Sequence, residues 1–177
     1  GALDDPTLTV HIRDVPRDMN FLDFGAAGFW TWDALKGWGL LSGGDPRSML
    51  VAPDRTVFVD FGPSGLWSWS VADRWRKLND RAPEAMAQGA GVLFLDYGDQ
   101  GLWTRSDGGV WSRISTLDPV QMVTAPGGAL YVDFGAQGLQ RWTPSTGFQL
   151  INASSPQQMV VGRNVVVLDY GAAGLWG

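Results

Sequence analysis

An eight-residue phrase, Asp60-Phe61-Gly62-Pro63-Ser64-Gly65-Leu66-Trp67, is written five times in this chain. No other feature limits the possible folds as tightly. The copies begin at Asp23, Asp60, Asp96, Asp133 and Asp169, in steps of 37, 36, 37 and 36 residues. A period this regular marks one supersecondary unit copied in tandem. The unit from Val57 to Gly91 stands for the others. Val57-Phe58-Val59-Asp60-Phe61 is short, apolar and rich in strand formers, so it reads as a strand. Gly62-Pro63-Ser64-Gly65 is a four-residue loop with Gly at both ends, where φ can turn positive. Leu66-Trp67-Ser68-Trp69 returns as a second strand with both Trp on one face. After a polar loop, Trp75-Arg76-Lys77-Leu78 makes a third strand, and Asn79 to Pro83 turns. Glu84 to Ala90, carrying Met86, reads as a fourth strand. For this segment, and for its counterpart Pro46-Arg47-Ser48-Met49, a helical turn is the alternative.

Four short antiparallel strands in about 36 residues, repeated about five times, describe an all-β chain and the blades of a five-bladed β-propeller. Blades of 36–37 residues beginning near 21, 58, 94, 131 and 167 divide a single domain over 1–177. Residues 1–20 match the outer half of a blade in length, and Val167 to Gly177 match the inner half. The two ends are therefore expected to build the last blade together and leave no open edge. An open solenoid, or a piece of a longer array, is the competing architecture.

The repeated residues follow from this plan. Asp23, Asp60, Asp96, Asp133 and Asp169 are expected on the innermost strand of each blade. There they can accept hydrogen bonds from the loop's own N–H groups and fix the turn. The other reading is a ring of carboxylates holding a cation in the channel. Five like charges in one ring repel, which favours the structural role. Phe24, Phe61, Tyr97, Phe134 and Tyr170 are expected to fill the space between blades, and Met49, Met86, Met122 and Met159 to fill gaps. The Trp recur at three positions. The first holds Trp30, Trp67, Trp103, Gln140 and Trp176; the second Trp32, Trp69, Arg105 and Trp142; the third Trp38, Trp75, Trp111 and Phe148. Packing between blades is the plain role for all of them. Gln140 and Arg105 are polar, however, and Arg is almost never buried unpaired, so the first two positions are expected to reach solvent. Trp32, Trp38, Trp69, Trp75, Arg105, Trp111, Trp142 and Phe148 are thus the expected ligand-binding set, a rim on which a sugar ring can stack.

Composition narrows the function. A net charge of −5 with no Lys/Arg run makes nucleic acid and anionic membranes poor partners. No apolar run approaches the roughly 20 residues of a membrane span, so no membrane insertion is expected. The chain has no Cys, which excludes disulfides and thiolate metal sites. That absence fits a reducing compartment or an exported bacterial protein, and the secreted reading is preferred here. His11 is the single His, so a multi-His metal site cannot form, and its place in the irregular N-terminal half gives it a surface or structural role by default. The GxxG loops join strands and lead into no helix, so they do not cradle phosphate. No catalytic residue, metal or cofactor is expected. Paired carboxylates of a glycosidase need unlike environments, and the Asp copies are equivalent by repetition.

The D-[FY]-G-x-x-G-[LF]-W unit, followed by W-x-x-[LI] and P-x-x-M, resembles the repeats of bacterial propellers of the FG-GAP and tectonin-like kind, over about residues 21–177. The chain departs from FG-GAP propellers in lacking their Asp-rich calcium loops. The five-fold count is similar to that of tachylectin-type propeller lectins, whose resemblance implies one sugar site per blade. The expected function is that of a monomeric, non-enzymatic glycan-binding propeller, with weak equivalent sites strengthened by multivalency. A protein-interaction or adhesion module on the same rim, an engineered repeat protein and a small glycosidase are the alternatives.

Overall fold

A computed structural model describes residues 19–177, in two compact units, the first reaching to Pro46 and the second running Arg47–Gly177. The described part of the first unit holds one antiparallel sheet, β1 (Met19–Asp23), β2 (Phe29–Asp33) and β3 (Gly37–Ser42). The second unit holds four sheets. The second sheet of the chain is β4 (Ser48–Val51), β5 (Val57–Asp60), β6 (Leu66–Ser70) and β7 (Arg74–Asn79). The third is β8 (Ala85–Gly89), β9 (Val92–Asp96), β10 (Leu102–Ser106) and β11 (Trp111–Ser115). The fourth is β12 (Gln121–Thr124), β13 (Leu130–Asp133), β14 (Leu139–Thr143) and β15 (Gly147–Asn152). The fifth is β16 (Gln158–Val161), β17 (Val166–Asp169) and β18 (Leu175–Trp176). The chain is all-β, as its period requires.

The phase of the repeat differs from the expectation. The Met86 segment is a strand, but it opens the third sheet instead of closing the second: Met86 pairs with Leu95 and Ala85 with Asp96. The physical reason is local. Ala90 and Gly91 have φ of 49° and 74°, the two-residue left-handed hairpin that an antiparallel pair favours, so β8 folds directly onto β9. The Asp-bearing strand is consequently second in each four-stranded sheet, not innermost. Within the second unit the first strands touch in succession, β4 to β8, β8 to β12 and β12 to β16. Those strands, and not the Asp strands, form the unit's inner side. The expectation that residues 1–20 complete the last blade lies outside the described residues, except that Met19 and Asn20 pair with β2 in the first sheet.

The cores lie between sheets. Ala52, Phe58 and Leu66 of the second sheet meet Leu93, Leu95 and Tyr97 of the third, with Trp103 and Trp111 packed against them. Ala87, Phe94 and Leu102 of the third meet Leu130, Val132 and Phe134 of the fourth. Phe94 is fully buried, and burying a side chain of that size contributes about 2–3 kcal/mol.

The five motif turns share one geometry, and it explains the motif letter by letter. Each Asp Oδ1 accepts a hydrogen bond from the N–H of the first Gly: Asp23 from Gly25 at 2.8 Å, Asp60 from Gly62 at 2.6 Å, Asp96 from Gly98 at 2.8 Å, Asp133 from Gly135 at 2.9 Å and Asp169 from Gly171 at 2.7 Å. A short 3-10 turn follows, and the second Gly takes a positive φ. At Gly65 a Cβ would stand 2.2 Å from the carbonyl oxygen of Asn79. The first-position Trp then closes the turn. Trp30, Trp67, Trp103 and Trp176 each donate Nε1–H to the carbonyl three residues back, at 2.8–3.2 Å. Gln140 donates Nε2–H to Gln137 at 3.4 Å in the same way. Gln therefore replaces Trp there because it keeps the donor.

Candidate functional site

The eight expected binding residues fall into direct cross-strand pairs: Trp32 with Trp38, Trp69 with Trp75, Arg105 with Trp111, and Trp142 with Phe148. Each pair therefore shares one side of its sheet. Their exposure differs widely. Trp38 is 56% exposed and leans on Phe24, whereas Trp69 is 6% exposed and belongs to the core, without a ring face for a ligand. Trp142 meets Phe94 edge-on at 5.4 Å, Phe148 meets Phe134 at 5.5 Å, and Trp75 meets Phe61 at 5.6 Å. Most of these aromatics wall the space between sheets, so the repeats do not present equivalent open sites.

One groove stands apart. Leu78, Asn79, Asp80, Arg81, Tyr97, Gln100, Trp103 and Trp111 line an open cavity of about 430 Å³ between the second and third sheets. Trp103 and Trp111 are half-buried indoles on one wall. Arg113 lies over the Trp103 ring at 5.9 Å. On the other wall Asn79 donates to the Tyr97 hydroxyl at 3.0 Å, and burial pushes that phenol up to about 12, so it is neutral at any physiological pH. Arg81 reaches across, donating to the Tyr97 carbonyl at 3.3 Å and pairing with Asp99 at 3.1 Å. The groove thus offers two aromatic faces, a neutral phenol and an exposed ionic rim. Of the expected set it uses only Trp111.

Asn79, Asp80, Arg81, Tyr97 and Gln100 were not expected, yet a signal was present in the period. Asn79 fits the repeat, since Ser42, Asn79, Ser115 and Asn152 each accept a hydrogen bond from the backbone N–H two residues on. Asp80 and Arg81 break it: the corresponding pairs are Gly43-Gly44, Thr116-Leu117 and Ala153-Ser154. The fourth sheet carries Gln140 and Phe148 where the third has Trp103 and Trp111, so the two-indole wall is not repeated there.

Arg105 stands where the neighbouring sheets place Trp69 and Trp142. Its slimmer side chain helps to line a cavity of about 160 Å³ with Ala52, Phe58, Leu93 and Asp107. Burial lowers its guanidinium pKa, Arg76 lowers it further, and Asp107 opposes both. The motif carboxylates are equally individual. Asp60 Oδ2 accepts from Arg47 Nε at 2.7 Å, and Asp133 Oδ2 accepts from Ser155 Oγ. Among the described residues no such donor reaches Asp96; burial first, then the charges of Asp118 and Glu84, push it up to about 6 against the pull of the Gly98 hydrogen bond.

No family model matches the chain, and neither does any curated protein. Solved structures do. A structure described as the mitotic checkpoint complex superposes with a TM-score of 0.59 at 11% identity, over 89% of this chain and 58% of that one. Virginiamycin B lyase from Staphylococcus aureus matches at 0.57 and 12% identity, over 82% and 57%. The computationally designed Ika8 protein matches at 0.59 and 12% identity, over 87% and 53%. All are propellers. The chain has the β-propeller fold. It spans a little over half the length of these structures, and at such identity the likeness speaks for the fold alone. The FG-GAP, tectonin-like and tachylectin-type resemblances are not carried further than that.

Proposed function

We propose that this chain is a non-enzymatic binding module that takes a protein segment in the groove between its second and third sheets. The observation behind this reading is the meeting of two indoles, Trp103 and Trp111, with the Asp80, Arg81 and Asp99 rim on one open groove. Trp, Tyr and Arg are the residue types on which interface energy concentrates. An apolar side chain of the partner fits against the indoles, and a charged neighbour meets the rim. One matched propeller was solved as part of an assembly, the mitotic checkpoint complex, which accords with a protein partner. A glycan is the second reading. It is favoured by Asn79, Asp80 and Gln100 standing beside the indole faces, since a sugar ring stacks on an aromatic face while its hydroxyls need hydrogen-bond partners.

The chain supplies its own control. Trp103→Gln with Trp111→Phe copies the residues the fourth sheet carries, so the turn keeps its donor and the fold is retained. Wild type and the double variant are immobilised and tested side by side for protein capture and on a glycan array. The protein reading expects a captured protein reduced at least ten-fold by the double substitution and unaffected by free sugars. Competition by a sugar transfers the groove to the glycan reading. Equal capture by both chains removes the groove from either.

A further inference from the structure

We propose that Glu84, Asp96 and Asp118 form a divalent-cation site of calcium-like chemistry at the seam between the third and fourth sheets. One carboxylate oxygen from each lies within 4.8 Å of those of the other two. Proximity of acids alone would not carry the assignment. Two further observations do.

The first is an oxygen without a donor on a buried side chain. Asp96 is 4% exposed, and its Oδ1 is taken by the Gly98 N–H at 2.8 Å. Among the described residues nothing donates to its Oδ2. The second is what occupies the same place elsewhere in the chain. In the second sheet a positive group sits there: Arg47 Nε on Asp60 Oδ2 at 2.7 Å, with Nη2 donating on to the Pro83 carbonyl. In the fourth sheet neutral donors sit there: Ser155 Oγ, and Gln121 Nε2 at 3.5 Å. In the third sheet the period puts Glu84 at the position of Arg47, and Asp118 at that of Ser155. Both replacements exchange a donor for an acceptor, so among the described residues the locus that receives a guanidinium or a hydroxyl in the sister sheets has three acceptors and no donor.

A cation resolves this. Hard oxygen ligands with no nitrogen or sulfur suit calcium or magnesium. Calcium binds oxygen at about 2.4 Å, so two oxygens on opposite sides of one ion stand about 4.8 Å apart. Oxygens no farther apart than that can all reach a single ion. Glu84 and Asp118 are exposed and free to adjust, while Asp96 is held by the turn. Two exposed, adjustable carboxylates around one fixed one suit the flexible coordination of calcium better than the strict octahedron of magnesium. The site does not depend on the groove reading, and it shares no residue with that groove.

The test uses the full chain stripped with chelator, then titrated with calcium by calorimetry and with terbium by luminescence excited through the neighbouring Tyr97 and Trp103. One equivalent is expected to bind, with a Kd of roughly 10–1000 µM. Glu84→Arg rebuilds the Arg47 arrangement that the second sheet folds with, and should abolish binding. Asp118→Ser copies Ser155 and serves if the first variant does not fold; it should weaken binding at least ten-fold. The reciprocal pair, Arg47→Glu with Ala82→Asp, should create a second equivalent. No stoichiometric binding to the wild type, or equal binding by wild type and both substituted chains, overturns the assignment.

Discussion

Asp96→Asn should stabilise the metal-free protein at neutral pH and leave it unchanged in acid. Asn keeps the oxygen that accepts the Gly98 N–H, and its new amide protons face the Glu84 and Asp118 carboxylates. What it removes is a buried charge. The Asp96 carboxyl is pushed up to about 6 from an ordinary value of 3.8, so folding favours its protonated form. Its stabilising contribution is therefore present below about pH 4 and is lost as pH rises through about 6. The difference, about 6 minus 3.8, or roughly 2 pKa units at 1.36 kcal/mol each, comes to about 3 kcal/mol as an upper figure. Urea unfolding followed by Trp fluorescence, between pH 4 and 8 in chelator, measures it. The gap between variant and wild type should open across that range and reach its full size by about pH 7.5. Excess calcium should close it for the wild type. A gap independent of pH, or a wild type more stable than the variant at pH 8 in chelator, would refute the reasoning.

Three more outcomes follow from the repeat geometry. Gly101→Ala should cost about 3 kcal/mol in urea unfolding, because its Cβ would stand 2.2 Å from the Ser115 carbonyl oxygen at a φ of +79°, whereas Gly174→Ala, with nothing within 4 Å, should cost about 1 kcal/mol from backbone strain. Asp60→Ala should lose about 1–3 kcal/mol by orphaning the Gly62 N–H and breaking the Arg47 Nε bond, while the half-exposed guanidinium keeps the Pro83 carbonyl and solvent; Asp60→Asn should lose less because it retains the Oδ1 acceptor. Arg105→Trp should raise thermal stability by about 1 kcal/mol by filling the space beside Phe58 as Trp142 fills that beside Phe94; a fall in Tm would mean that the slot cannot accept an indole.

The placement of Trp69 shows why residue type alone misassigned the rim. Its counterpart Arg105 is polar, which suggested an exposed position throughout. In the structure the slot is a core position that an Arg half-fills, leaving a cavity. Gln140 does stand partly exposed, as its polarity suggested, but it also keeps the turn's hydrogen bond, a role that its residue type did not announce. The Asp-Arg pair at 80–81, which does shape the groove, was visible as the place where the repeat stops repeating.

Local chemistry was readable from the residues in order. A tandem period, strand-forming runs, and turns that demand Asp and Gly at set spacings dictate an all-β array of small sheets, because each of those preferences acts within a few residues. Which sheet a strand joins is a pairing decision, and β8 could be placed only once its hairpin onto β9 was seen. The unlike fates of Asp60, Asp96 and Asp133 depend on partners 12 to 22 residues away, brought in by the start of the same sheet or the linker to the next. Near-identical motifs acquire different electrostatics through those neighbours, and only the packed chain determines which neighbours they are.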